Sequence, residues 1–448
     1  MATTYLTRTP SSGAATQKAT FSFWVKKTNT TGTPNLFRMY TNAQQYVRIR
    51  FESSNKISFI IINSDSYVVQ LVSTQVFRDT SAWYNIVCNM DTTQATASDR
   101  AKIYVNGERI TAYDTATYPP TQNANIIVTP SGTANHIGTQ LGDSPSYFEG
   151  CMSHVNFTDG YVYQASEFGE TDSTTGEWKI KTSPSVTYGT NGFFILKDGN
   201  SVTDQSGNSN NFTVAAGTLT NTEDCPSNVF CTMNPLDNYY ANSTFSNGNT
   251  TIVTNSGNTT YNTSTLGIPP TMKCYWEVKF NTVQSANGEV GIVNTPTTGS
   301  SGGAYRLYYQ TYGISVNDGG AIWSANADTG ITLGTLSTSD IVCFAWDGVN
   351  QALYVRKNGD AWINSGNPTS GASKTGAVKS FSGTSLTMFP AVGDQSGANA
   401  VGTSTNFGNG FFGTTAVSSA GTNASGIGIF EYDVPTGYTA LSTKGLNA

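Results

Sequence analysis

Four carboxylates crowd one short stretch of the chain, Glu167, Glu170, Asp172 and Glu177. Glycoside hydrolysis uses a pair of such groups on either side of the scissile bond. On a strand they must sit at alternate positions, because only every second residue faces a substrate. No alternating pair occurs here, and the spacing predicts solvated loop charges. The two histidines, His136 and His154, fall near strand ends with no G-x-S-x-G nucleophile signature, and they are expected to be structural. These residues predict a non-enzymatic protein.

Two other groups of residues offer binding chemistry. Calcium takes oxygen ligands from carboxylates, amides and carbonyls in loops, and Asp198, Asp204, Asn208 and Asn211 would supply such a site. The competing reading is that Asp and Asn stand there because they form turns. Sugars are bound by aromatic faces flanked by polar groups. Tyr305, Tyr308, Tyr309, Tyr312, Trp323 and Trp362 in the second half are candidates, as are Tyr113, Tyr118 and Tyr147 in turn-rich parts of the first. Of these, Tyr308, Tyr309, Tyr312, Trp323 and Trp362 form the ligand-binding expectation, set against the reading that aromatics in a sandwich are core.

The elements that must position these groups read as strands. Phe21–Val25, Tyr46–Phe51, Lys56–Ile62, Tyr67–Val72 and Trp83–Met90 alternate apolar and polar residues, the period of a half-buried strand. Lys102–Val105 does the same and meets Asn106-Gly107, a hairpin-turn signal. Asp340–Asp360 repeats the grammar, with Asn358-Gly359, and predicts a second central strand pair closed by an Asn-Gly turn. A helical turn is expected only around Gln164–Phe168. The composition agrees. Only 12% of the 448 residues are charged and 12% are aromatic, so the chain can bury a large core and needs many turns.

Net charge is −6 and no basic run exceeds Lys26-Lys27, which argues against nucleic-acid binding. The polar start MATTYLTRTPSS lacks the apolar core of a signal peptide, and the apolar run Ile57–Ile62 is too short to cross a bilayer. Synthesis in the cytoplasm without membrane insertion is the expectation. The six cysteines fit no zinc spacing. Cys88 and Cys343 read as buried apolar residues, and Cys225 and Cys231 either pair or stay free.

Several strings carry resemblances. FSFWVK, SAWYNIVCNMD, AKIYVNGERI and FEGCMSHVNF are similar to the laminin-G-like, concanavalin-A-like jelly-roll family. YLTRTPSSGAATQKATFSFWVKKT, VFRDTSAWYNIVCNMDTTQATASDRAKIYVNG and FGETDSTTGEWKIK resemble bacteriophage virion proteins, marine phages above all. YWEV, VGIV, DIVCFAWDGVNQALYVRKNGD, FPAVG and NFG, in this order, resemble the SPRY family. The implied fold is all-β, with two antiparallel β-sandwiches joined by a turn-rich bridge. The expected divisions are a jelly roll at 1–160, a bridge wrapping it at 161–240, an SPRY-like sandwich at 241–415, and a Gly/Ser/Thr-rich linker with a terminal strand at 416–448. The resemblance implies a protein on the virion surface, in a tail fibre or head decoration. It implies contacts with other virion proteins, homo-oligomerisation (most simply trimeric), and non-covalent binding of host-surface polysaccharide. A purely structural decorating protein and a glycan depolymerase are the alternatives.

Overall fold

The computed structural model describes residues 3–13, 15–141, 146–197, 199, 201–237, 243–255, 259–284, 286–295, 306–395 and 400–448. Two compact units divide the chain, Met1–Asn221 and Thr222–Ala448. Both are all-β. Among the described residues the helical elements are short 3₁₀ turns, and no helix is long and apolar enough to cross a membrane. The expected turn near Gln164 is one of these, Ala165–Glu167.

The first unit stacks two antiparallel sheets. The larger runs Tyr113–Thr117, Ser66–Val76, Lys56–Asn63, Gln45–Phe51, Asn35–Asn42, Asn135–Ile137, Tyr5–Arg8 and Thr213–Ala216. The smaller runs Glu108–Arg109, Ala101–Val105, Tyr84–Asp91, Lys18–Lys27, Gly150–Asp159 and Phe193–Ile195. Alternation explains the packing. Phe37, Met39, Val47 and Ile49 are fully buried between the sheets with Phe21, Phe23 and Ile86, while their sequence neighbours take the other face. A third layer covers the outside of the smaller sheet. There Ala165, Phe168 and Trp178 pack on Val87 and Tyr104.

The expected bridge is shared between the units. Residues 161–221 belong to the first, and Phe193–Ile195 joins its smaller sheet beside Gly150–Asp159. From Thr222 the chain belongs to the second.

The second unit is also two sheets. One runs Thr244–Ser246, Thr251–Val253, Gly402–Asn406, Lys273–Phe280, Ile341–Asp347, Ala352–Lys357 and Lys379–Ser380. The other runs Thr260–Thr263, Phe389–Asp394, Gly288–Val293, Ile314–Asn317, Ala321–Ser324 and Ala327–Thr332. Trp276 stacks on Phe344 between them, ring centres 4.9 Å apart. The segment 416–448 does more than link. Thr439–Ala440 pairs in parallel with Cys274 and Tyr275, Phe430 packs edge-on against Tyr275, and Tyr438 is buried with its hydroxyl on the Pro368 carbonyl.

The two Asn-Gly steps do not close the long strand pairs. Tyr84–Asp91 and Ala101–Val105 are joined through 92–100, and Asn106-Gly107, with φ of 48° and 85°, turns instead into Glu108–Arg109. Asn358 likewise ends Ala352–Lys357 at the edge away from its hairpin. The asparagines share a different task. Asn106 donates its N–H to the Asn85 carbonyl at 2.9 Å and accepts the Asn85 N–H on Oδ1 at 2.7 Å. Asn358 does the same with Ile341, at 2.7 and 2.9 Å. A left-handed backbone lets the side-chain carbonyl replace a missing ladder partner.

No disulfide joins Cys225 to Cys231. Burial pushes the Cys88 and Cys343 thiols up.

Candidate functional site

Three of the predicted aromatics come together on the outer face of the second unit's smaller sheet. The strand Gly288–Val293 is apolar except for Glu289, which is fully buried. A lone buried carboxylate needs donors. Glu289 finds them in the Leu307 N–H at 2.9 Å, the Gln395 amide at 2.9 Å and the Ser315 hydroxyl at 3.2 Å. Burial still pushes its carboxyl up to about 7, against the pull of these bonds. The Leu307 bond fixes the 3₁₀ turn Leu307–Tyr309, and the Asn326 N–H grips the same turn through the Tyr308 carbonyl at 2.7 Å.

This turn presents Tyr308 edge-on to Tyr309, ring centres 4.8 Å apart, and against Trp323 at 5.0 Å. Arg306 donates to the Tyr308 and Tyr309 hydroxyls at 2.9 and 3.3 Å and lies 5.3 Å from the Tyr309 ring centre. Tyr308 is buried, Trp323 half-buried, and Tyr309 is 37% exposed. The result is an aromatic shelf with a cation at its edge. Trp323 Nε1 has no acceptor among the described residues.

The other predicted aromatics lie elsewhere. Tyr312 packs edge-on against Phe381 at 5.2 Å. Trp362 lies under the Arg356 guanidinium at 4.7 Å and packs on the core beneath the C-terminal segment. Tyr113 and Tyr118 pack on the first unit's core, and Tyr147 lies beside Tyr5. Tyr305 falls outside the described residues.

The calcium candidates are used otherwise. Asp198 lies outside the described residues. Asp204 accepts the Phe194 and Ser206 N–H groups on Oδ1 at 2.8 and 2.9 Å. Its Oδ2 takes the Ser206 hydroxyl and the Asn210 N–H at 2.7 and 2.8 Å. Asn211 Oδ1 accepts the Asp204 N–H, and Asn208 uses its amide as a donor to the Gly189 and Gly192 carbonyls. Oxygens already saturated by donors are poor cation ligands, so this loop is held as a turn. Among the described residues no three His, Cys, Asp or Glu side chains gather as a metal site. Beside the loop, an open polar cleft of about 440 Å³ is lined by Arg8, Ser209 and Asn210 among others, and no aromatic lines it.

Two members of the acidic stretch, Asp172 and Glu170, face lysines. Lys179, at 2.7 Å, and the Thr174 and Thr175 N–H groups hold the half-buried Asp172 carboxyl well below the usual range. Glu170 lies 3.8 Å from Lys181. A general acid needs a raised value.

Residues 2–167 match the family model of the concanavalin A-like lectin/glucanases superfamily, Laminin_G_3. The first unit carries a laminin G-type, concanavalin A-like jelly roll. No curated protein matches the sequence. Among solved structures, the SPRY domain of human HERC1 is similar at 14% identity, over 39% of this chain and 96% of that one, with a TM-score of 0.30. Domains LG4-5 of the mouse laminin α1 chain are similar at 8% identity, over 87% of this chain and 78% of that one, with a TM-score of 0.29.

Glu289 and Arg306 were not singled out by the sequence reading. A carboxylate inside an otherwise apolar run, GEVGIV, is the signal that would have found the first. Nothing local to the sequence ties the second to Trp323.

Proposed function

We propose that the protein is a surface component of a bacteriophage virion that binds host-surface polysaccharide without breaking it. The observation that carries the reading is the aromatic shelf of Tyr308, Tyr309 and Trp323, with Arg306 at its edge. Exposed Tyr and Trp faces take the apolar face of a sugar ring, and an adjacent cation takes its hydroxyls. The lectin/glucanase family match in the first unit supports the same class of ligand. The virion assignment rests on the resemblance of long strings, FGETDSTTGEWKIK among them, to phage virion proteins. A weak module of this kind works in numbers. Display in several copies, most simply as trimers among other virion proteins, turns each later contact into an intramolecular one.

Binding of the full-length protein to a panel of bacterial capsular and O-antigen polysaccharides, read by affinity electrophoresis, tests the proposal. Tyr309→Ala and Trp323→Ala are expected to weaken the binding seen. No binding to any panel member overturns the reading. Release of new reducing ends would make the protein a depolymerase, and many copies per particle without glycan affinity would make it a decorating protein.

A further inference from the structure

The outer face of the first unit's larger sheet carries mirrored triplets. Arg38-Met39-Tyr40 lies on Asn35–Asn42 and Tyr46-Val47-Arg48 on Gln45–Phe51. Antiparallel register sets Arg38 opposite Arg48 and Tyr40 opposite Tyr46, while Met39 and Val47 fill the core. His136 stands opposite Arg38 on the next strand. On the other side Ile62 stands opposite Tyr46, and Tyr67 opposite Ile62.

Like charges directly opposed on a sheet face are unfavourable, and a buried charge is ordinarily matched. The first unit matches its other buried cations. Lys27 donates to the Asn55 carbonyl oxygen Oδ1 at 2.7 Å and to the Phe77 carbonyl at 3.1 Å. Arg100 donates to the carbonyls of Gln94, Ala95, Pro119 and Pro120. Arg38 is 6% exposed and has no such set. Its guanidinium lies 4.4 Å from the Tyr40 ring centre and 5.1 Å from that of Tyr46, and Arg48 lies 5.6 Å from the same Tyr46 ring. Both Nε atoms lack an acceptor, and neither guanidinium is paired with a carboxylate among the described residues. The neighbouring carboxylate, Glu52, is committed to Arg50, at 3.0 and 2.7 Å, and to the Ser58 hydroxyl at 2.6 Å. Burial, with Arg48 alongside, pushes Arg38 down to about 10.

We infer that this face is an anion subsite for an acidic polysaccharide. Arg38 and Arg48 receive the carboxylate or sulfate-ester oxygens of a charged sugar, which a planar guanidinium fork fits. Tyr67, 48% exposed and two strands from Tyr46, whose hydroxyl its side chain meets, takes the neighbouring sugar ring. The inference rests on the glycan-binding reading and adds the chemical class of the glycan. Two arginines on a chain of net charge −6 suit a spaced polyanion better than a nucleic acid, whose phosphates demand a wider basic surface.

The test titrates the full chain by calorimetry with polygalacturonate, dextran sulfate and neutral dextran. Arg38→Gln and Arg48→Gln are compared with Arg109→Gln, which alters an exposed arginine already paired with Asp99 at 2.9 Å. At least one acidic polymer is expected to bind, which distinguishes a carboxylate from a sulfate source. Each of the first two variants should weaken that binding about tenfold, while Arg109→Gln binds as wild type. Arg38→Gln should melt no lower than wild type, since it removes an unmatched buried charge; a purely structural Arg38 would lower it. Unchanged binding in both variants overturns the inference. So does a DNA duplex bound as tightly as the acidic polymers. Equal binding of neutral and acidic polymers overturns the anion subsite alone, and binding of no glycan overturns both readings.

Discussion

The backbone N–H of Leu307 donates to the carboxylate of Glu289 at 2.9 Å, and through this bond a buried strand residue holds the aromatic turn in place. Removing the carboxylate strands the Leu307 N–H, at a cost of about 1–3 kcal/mol. Glu289→Ala is therefore expected to lower the second unit's stability and weaken glycan binding together. Tyr309→Ala, on the exposed side of the same turn, should weaken binding alone. Urea denaturation run alongside affinity electrophoresis separates the two. A Glu289→Ala protein that binds as wild type would detach the turn from the site.

Acidity should strengthen the second unit. Glu277 and Glu289 are both pushed up to about 7 by burial, outweighing the hydrogen bonds that each accepts. In the unfolded chain such groups titrate near 4.3. Between roughly pH 4.3 and 7 the folded state thus holds protons that the unfolded state has released. Their contribution is full below that window and is lost as pH rises through about 7. Calorimetry should find the second unit melting at a higher temperature at pH 5 than at pH 8. The opposite order would show that the two carboxyls are ionised throughout.

Trp178 should respond to changes at a turn 71 residues away in sequence, since its ring rests on Gly107. A Cβ on Gly107 would fall 2.5 Å from that ring, and the φ of +85° disfavours any side chain. The indole N–H also donates to Asn85 Oδ1 at 3.1 Å. Gly107→Ala is expected to destabilise the first unit by about 2–4 kcal/mol, combining backbone strain and overpacking. A urea midpoint equal to wild type would place Trp178 off the turn.

Calcium and chelator should leave the first unit's melting temperature unchanged, because both Asp204 oxygens are filled by protein donors. Asp204→Ala, which strands those donors, should lower it markedly. A rise in melting temperature with millimolar calcium, abolished in Asp204→Ala, would restore the loop as a cation site.

The sandwiches were legible because alternation is a local signal. Val47, Ile49 and Phe51 announce a buried face by their spacing alone, whereas the strand Asn35–Asn42 was not read. The Asn-Gly steps were read as closing the long strand pairs, since nothing local says which strand a turn leads into; Asn106-Gly107 does turn a hairpin, but into the short strand Glu108–Arg109. The aromatic candidates were half resolved. Tyr308, Tyr309 and Trp323 meet, whereas Tyr312 and Trp362 do not, because the sheet order that sorts them is a non-local property. The calcium reading rested on residue types alone, which do not show that Asp204 places its oxygens on its own loop and on the Phe194 N–H. Arg38 and Arg48 were invisible for the same reason: each is an ordinary outward residue until register sets them face to face.

The layer of Phe168 and Trp178 over Val87 and Tyr104 also bears on where the first unit can be cut. The family model covers residues 2–167, yet the folded body continues to Asn221. A fragment ending at residue 167 would leave an apolar sheet face bare and an edge strand unpaired. The piece that folds as one body is longer than the piece that the family model covers.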